Sequence, residues 1–163
     1  MGDPKKQRKK FSKPSHPWNK ERILIEKDIL AQYGLRRKYE IWKMESVLKK
    51  LQHQAKSIIG SKTLQAEREK AQLLNRVYAM GLLPKNSRVE GILNLTLKDI
   101  LERRLQTLVF KKKICSTVLQ ARQFIVHEHV SINDKKITTP SYIVMINEEP
   151  FIKCEVSKNA ATK

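Results

Sequence analysis

Hydrophobic positions in the first half of the chain fall at helical spacing. Ile41, Met44, Leu48, Leu51, Ala55 and Ile58 recur at alternating steps of three and four residues, the period of one helix face. The stripe predicts a helix closed by Gly60 that packs against other helices, with Lys43, Lys49, Lys50 and Lys56 largely away from it. Upstream, Ile23, Leu24, Ile25, Ile29 and Leu30 predict a helix from Lys20 that stops near Gly34, because glycine is the usual residue just past a helix end. A third helix is expected from Thr63 to Met80. It carries Leu73, Leu74, Val77 and Tyr78 near its end, with Gly81 and Pro84 as its stop. Residues 85–90 read as a polar loop.

The second half reads as two helices followed by a hairpin. Thr96 stands three residues before Asp99, the spacing of a helix start. Leu97, Ile100, Leu101, Leu105 and Leu108 share one arc, Arg103 lies on the polar side, and Arg104 falls nearer the arc. Lys111, Lys112 and Lys113 make a cationic connection. Thr117 and Gln120 match a capping box for a helix with apolar Val118, Leu119, Ala121, Phe124, Ile125 and Val126. At about 100° per residue, Gln120, Gln123 and His127 gather on the opposite face, while Arg122 falls inside the apolar arc. Two roles stay open for Arg104 and Arg122: a largely buried guanidinium paired with a carboxylate, or an edge where both helices meet a phosphate. After His129 the period becomes alternating. Val130 and Ile132 predict a strand, Asn133-Asp134 a turn, and Lys135-Lys136-Ile137 its return. Tyr142-Ile143-Val144 reads as a further strand after Pro140.

Charge changes the picture. Thirty-four Lys and Arg face sixteen Asp and Glu, a formal net charge of +18. So large an excess repels itself in a compact state, and a polyanionic partner explains it. Nucleic acid fits, because Lys and Arg displace condensed counterions from phosphates. No apolar run is long enough to span a bilayer, and neither a signal-peptide core nor a lipidation signal is recognisable. Cys115 and Cys154 stand apart without metal-ligand spacing, and read as two reduced thiols of a cytosolic protein. No Gly-rich phosphate loop, HExxH or hydrolase-type serine motif occurs. Nothing resembles a catalytic constellation, so neither an enzyme, a cofactor nor a metal is expected.

Residues 1–19 read as an extended basic arm. Lys5, Lys6, Arg8, Lys9, Lys10 and Lys13 are interleaved with Pro4, Pro14 and Pro17, which prevent regular helix. The arm has too little apolar surface to order alone and is expected to fold against RNA, the bland alternative being a solubilising tail. Trp18 beside Pro17 is expected to dock on something.

The residues also carry a resemblance. Leu-Glu-Arg-Arg-Leu-Gln-Thr-Leu-Val-Phe (101–110), Gln-Ala-Arg-Gln-Phe-Ile-Val-His-Glu-His-Val (120–130) and Ile-Asn-Asp-Lys-Lys-Ile-Thr-Thr-Pro-Ser-Tyr (132–142) together resemble the S-four RNA-binding domain. The start, Gly2-Asp3-Pro4-Lys5-Lys6 with Arg8-Lys9-Lys10 and His16-Pro17-Trp18, looks like the archaeal and eukaryotic form of the ribosomal small-subunit protein four family. The short C-terminal tail favours the archaeal form. Family members often have glycine where this chain has Lys113, Glu128 and Asp134, which bears on turn geometry. Glu128 also puts a negative charge between His127 and His129. Bacterial relatives can carry a cysteine cluster near the N-terminus; none is present here, so no zinc is expected.

The resemblance implies an α+β chain: an arm at 1–19, a helical domain at 20–95, an S-four-type RNA-binding domain at 96–156 (two helices plus a small antiparallel sheet) and a tail at 157–163. It also implies a primary binder of small-subunit ribosomal RNA in the five-prime domain, supporting assembly and the messenger-RNA entry region beside small-subunit proteins three and five. The expected contacts are Arg103, Arg104, Lys111, Lys112, Lys113, Gln120, Arg122, Gln123, His127, Lys135 and Lys136, with Lys5, Lys6, Arg8, Lys9 and Lys10 in the arm. Three rivals are weaker. An enzyme with an appended S-four domain needs a catalytic domain for which the chain has no room. A free-standing ribosome-rescue or stress factor does not account for the long arm and helical middle. A chromatin protein follows from charge alone.

Overall fold

The computed structural model describes residue 2, residues 9–61 and residues 63–154. Helix α1 spans Lys20–Gln32 and is capped by Asn19, whose side chain accepts from the Arg22 amide at 3.1 Å. Helix α2 spans Lys38–Gly60, and α3 spans Leu64–Ala79 under the Thr63 cap. A single turn, α4, occupies Glu90–Leu93, at the end of the expected polar loop. Helices α5 (Leu97–Glu102), α6 (Leu105–Lys111) and α7 (Val118–Val126) follow. Strands β1 (Val130–Ile132), β2 (Lys135–Lys136) and β3 (Ile152–Cys154) form an antiparallel sheet in the order β2-β1-β3, with Ile132 opposite both Lys135 and Ile152.

Every member of the α2 stripe is buried, from Ile41 to Ile58, together with Ile29 of α1, Leu73 and Val77 of α3, and Ile100 and Leu101 of α5. A second cluster joins Leu105, Leu108 and Val109 of α6 to Ala121 and Ile125 of α7, Val130 and Ile132 of β1, Val144 and Ile152. The clusters divide between Leu101 and Leu105. Helix α5, grouped by its sequence with the second half, therefore packs its apolar face in the first.

Two sequence expectations change at this divide. The continuous helix expected after Thr96 breaks at Arg103 and Arg104. The freed backbone pairs with the segment expected to be a strand: Leu105 N–H donates to Tyr142 O at 2.8 Å and Val144 N–H to Arg103 O at 3.0 Å. Residues 142–144 thus make an isolated antiparallel bridge, Arg104 opposite Ile143, and the third strand of the sheet comes from Ile152–Cys154 instead. Backbone polar groups must be paired when buried, and the break supplies the partners.

Four helices end alike. After α1, α3, α6 and α7 the chain passes through positive φ at Gly34 (58°), Gly81 (72°), Lys113 (57°) and Glu128 (63°). Each is followed by an amide bonding back five residues: Leu35 to Leu30, Leu82 to Val77, Ile114 to Val109, His129 to Phe124. This is the Schellman closure, which favours glycine at its left-handed residue. Lys113 and Glu128 occupy that place without being glycine. Asn133 and Asp134, at 49° and 63°, form the hairpin turn for which paired positive φ is required.

Candidate nucleic-acid interface

The break between α5 and α6 decides the role of the two arginines. Arg104 is 1% exposed, and its Nη2 donates to Glu40 at 3.0 Å. Arg122 donates to the same carboxylate through both terminal nitrogens, each at 3.2 Å. Burial opposes ionisation of Glu40, but the hydrogen bonds and charges of Arg122 and Arg104 together hold its carboxyl below the ordinary value. Burial likewise lowers Arg104, against the opposing pull of Glu40. Arg103 is also engaged within the protein. It donates to Met80 O at 3.0 Å, Val144 O at 3.1 Å and Glu149 at 2.8 Å. Its guanidinium lies where a Cβ on Gly81 would fall, at 2.7 Å. Glycine at 81 is thus needed twice, for φ and for space. The expectation that Arg103 and Arg104 stand open on the surface is corrected: the three nitrogens of Arg103 and the Nη2 of Arg104 are bonded within the protein and tie the two hydrophobic clusters together.

The remaining expected contacts stand outward. Lys111, Lys112 and Lys113 are exposed at the end of α6. Lys111 pairs with Glu102 at 3.1 Å, and Lys112 donates to the Glu149 carbonyl. Gln123 and His127 are exposed on α7, whereas Gln120 is half-buried and accepts from the Ser116 amide at 2.9 Å. Lys135 and Lys136 are exposed on β2. Among the described residues Lys113, Lys135 and Lys136 have no acidic partner. Their charge is available to an outside anion. Glu128 is exposed as well, beside His127 and His129.

Helix α7 departs from its expected arc. Ala121 and Ile125 are buried, but Leu119 is 66% and Val126 50% exposed. A nine-residue helix packed on one side buries only the narrow i, i+4 line that meets α6. The open face is therefore Leu119, Gln123 and Val126 with His127, more apolar than the sequence suggests.

In the arm, Lys9 and Lys10 are exposed, while Lys5, Lys6 and Arg8 lie outside the described residues, as does the tail at 157–163. The anchoring aromatic is Phe11. Its ring lies 6.1 Å from Tyr39 and 6.0 Å from Trp42, and Ser12 N–H donates to Ser46 Oγ at 3.3 Å. Trp18, expected to dock, is 90% exposed. Arg22 fixes the turn before it by donating to His16 O and Pro17 O.

Two residues were missed in the sequence. Gln106 is 1% exposed, and its side-chain amide donates to Gly34 O at 3.1 Å and Val118 O at 3.0 Å, joining the end of α1 to the start of α7. Lys43 lines a cavity with Arg104 and Arg122. Only the kink brings Gln106 inward, and nothing in the α2 stripe signals what Lys43 faces.

Comparison with known proteins agrees with this architecture. The S4 domain family matches residues 103–149. The small ribosomal subunit protein uS4 of Saccharolobus solfataricus is 47% identical over 160 residues, which is 98% of this chain and 88% of the relative. That of Saccharolobus islandicus is 46% identical over the same shares. That of Ignicoccus hospitalis is 43% identical over 152 residues, covering 93% of this chain and 92% of the relative. All three sources are archaeal. Matched by these relatives along nearly its whole length, the chain belongs to the uS4 family of small ribosomal subunit proteins, structural constituents of the ribosome that are not enzymes.

Proposed function

We propose that the chain is a primary binder of small-subunit ribosomal RNA. It acts in the five-prime domain, supports subunit assembly and borders the messenger-RNA entry region beside small-subunit proteins three and five. The observation that carries the RNA reading is the row of exposed cations without acidic partners, Lys113 on the α6–α7 connection and Lys135 and Lys136 on the hairpin. All belong to elements packed on one hydrophobic cluster, which holds their charges at fixed separations. Fixed phosphate spacing selects folded RNA by shape more than by base edges. Lys111, Lys112, Gln120, Arg122, Gln123 and His127 extend this surface, and the arm with Lys5, Lys6, Arg8, Lys9 and Lys10 adds a second group. Arg103 and Arg104 support it from beneath.

The test is filter binding of the full chain to the five-prime domain of small-subunit ribosomal RNA at moderate salt. Lys112→Glu combined with Gln123→Glu is expected to weaken binding while leaving the helical circular-dichroism signal intact. Unchanged affinity would overturn the surface assignment.

A further inference from the structure

One carboxylate cannot neutralise the two guanidiniums that converge on it. Glu40 Oε2 accepts from Arg104 and Arg122, and Oε1 accepts from Arg122 and the Arg36 amide. The carboxylate is saturated and one positive charge is left over. Glu40, Arg104 and Arg122 themselves line a cavity of about 130 Å³, with Tyr39, Lys43 and Ser141 among its other lining residues. Lys43 adds a third cation to the wall. Arg104 is 1% exposed, yet its Nε and Nη1 have no hydrogen-bond partner among the described residues. Buried polar groups are normally satisfied and buried charges normally paired, so two orphaned N–H groups on a buried cation mark a missing acceptor.

We propose that this cavity is a phosphate-binding site, in which Arg104, Arg122 and Lys43 share one oxyanion. The occupant is a backbone phosphate of RNA, and that identification rests on the RNA-binding function proposed above. A phosphate suits the wall better than a partner's carboxylate. The orphaned Arg104 donors, Lys43 and the hydroxyls of Ser141 and Tyr39 outnumber what a carboxylate's two oxygens accept in line, and a guanidinium fork matches phosphate geometry. The cavity has room for an oxyanion but not for a base and sugar together. Arg122 is 25% exposed at its side chain and Lys43 is half-buried, so the site is entered from their side. Occupation would neutralise the excess charge at the joint between the two hydrophobic clusters, which makes the site a point where RNA binding tightens the fold.

The experiment titrates the full chain with inorganic phosphate, against chloride at matched ionic strength, and follows arginine Nε–H resonances. The Arg104 Nε–H signal is expected to shift saturably in the native chain. Lys43→Gln is expected to weaken the interaction on the order of tenfold, and Lys43→Glu to remove it with helical content retained. No saturable shift in the native chain, or an unaltered shift in Lys43→Glu, overturns the site. In a second arm, binding to small-subunit ribosomal RNA is measured across salt. Lys43→Glu is expected to reduce the logarithmic salt slope by about one unit; an unchanged slope overturns RNA phosphate as the occupant. Phosphate binding in a native chain that does not bind the RNA upholds the anion site and overturns the RNA-binding function instead.

Discussion

Glu40 in α2 and Arg104 at the α5–α6 break are joined at 3.0 Å across 64 residues of sequence. Glu40 Oε2 also accepts from Arg122 of α7, so one carboxylate fastens the helical unit to both helices of the second. Removing it leaves two cations facing each other, with Arg104 only 1% exposed. Glu40→Ala is expected to destabilise the chain by about 3–5 kcal/mol, the cost of breaking a buried pair. Urea unfolding followed by circular dichroism measures it. A loss under about 1 kcal/mol, the size of a surface pair, would mean the cluster does not hold the units together.

The same pair makes stability depend on acid. The folded-state pKa of Glu40 is lowered, so the folded chain binds its proton less readily than the unfolded chain does. Its contribution is complete above the ordinary glutamate value of about 4.3 and is lost as the pH falls through the lowered folded value. Melting temperature is therefore expected to drop on acidification through that window, and to drop less in Glu40→Gln. Equal pH profiles for the two proteins would remove Glu40 as the cause.

Lys113 and Glu128 hold left-handed conformations at 57° and 63°. Such a conformation costs a non-glycine residue roughly 1–2 kcal/mol, partly offset because glycine loses more backbone entropy on folding. Lys113→Gly and Glu128→Gly are each expected to raise stability by about 0.5–1 kcal/mol. Thermal unfolding of both variants tests this, and destabilisation by either would show that its side chain stabilises the chain by more than its backbone strain costs.

Cys115 is 7% exposed, and burial, with a smaller push from Cys154, raises its thiol to about 11. Since the thiolate is the nucleophile, Cys115 is expected to resist iodoacetamide at neutral pH in the folded chain and to react promptly once urea unfolds it. Mass mapping of the alkylated peptide reads the outcome. Rapid modification of the folded chain would contradict its burial.

The sequence by itself determined the helical stripes, the caps and stops, the hairpin turn and the charge excess. These depend on period and on local backbone preference, which neighbouring residues settle among themselves: Ile41 through Ile58 are all buried as their spacing requires. The departures from glycine at 113, 128 and 134 were legible too, and the positive φ at each is the conformation that glycine would hold more cheaply. Only the tertiary structure decided what the arginines do. The α5–α6 break follows from backbone pairing with residues 140–144, a segment nearly forty residues distant in sequence. That break turns Arg104 inward to Glu40 and sets Arg103 against Gly81, while one-sided packing of α7 leaves Leu119 and Val126 in solvent. A helical wheel assumes an unbroken helix and a partner on every apolar side. Where a distant strand-like segment interrupts the helix, or the neighbour covers only a narrow line, contacts between remote elements outweigh the local period.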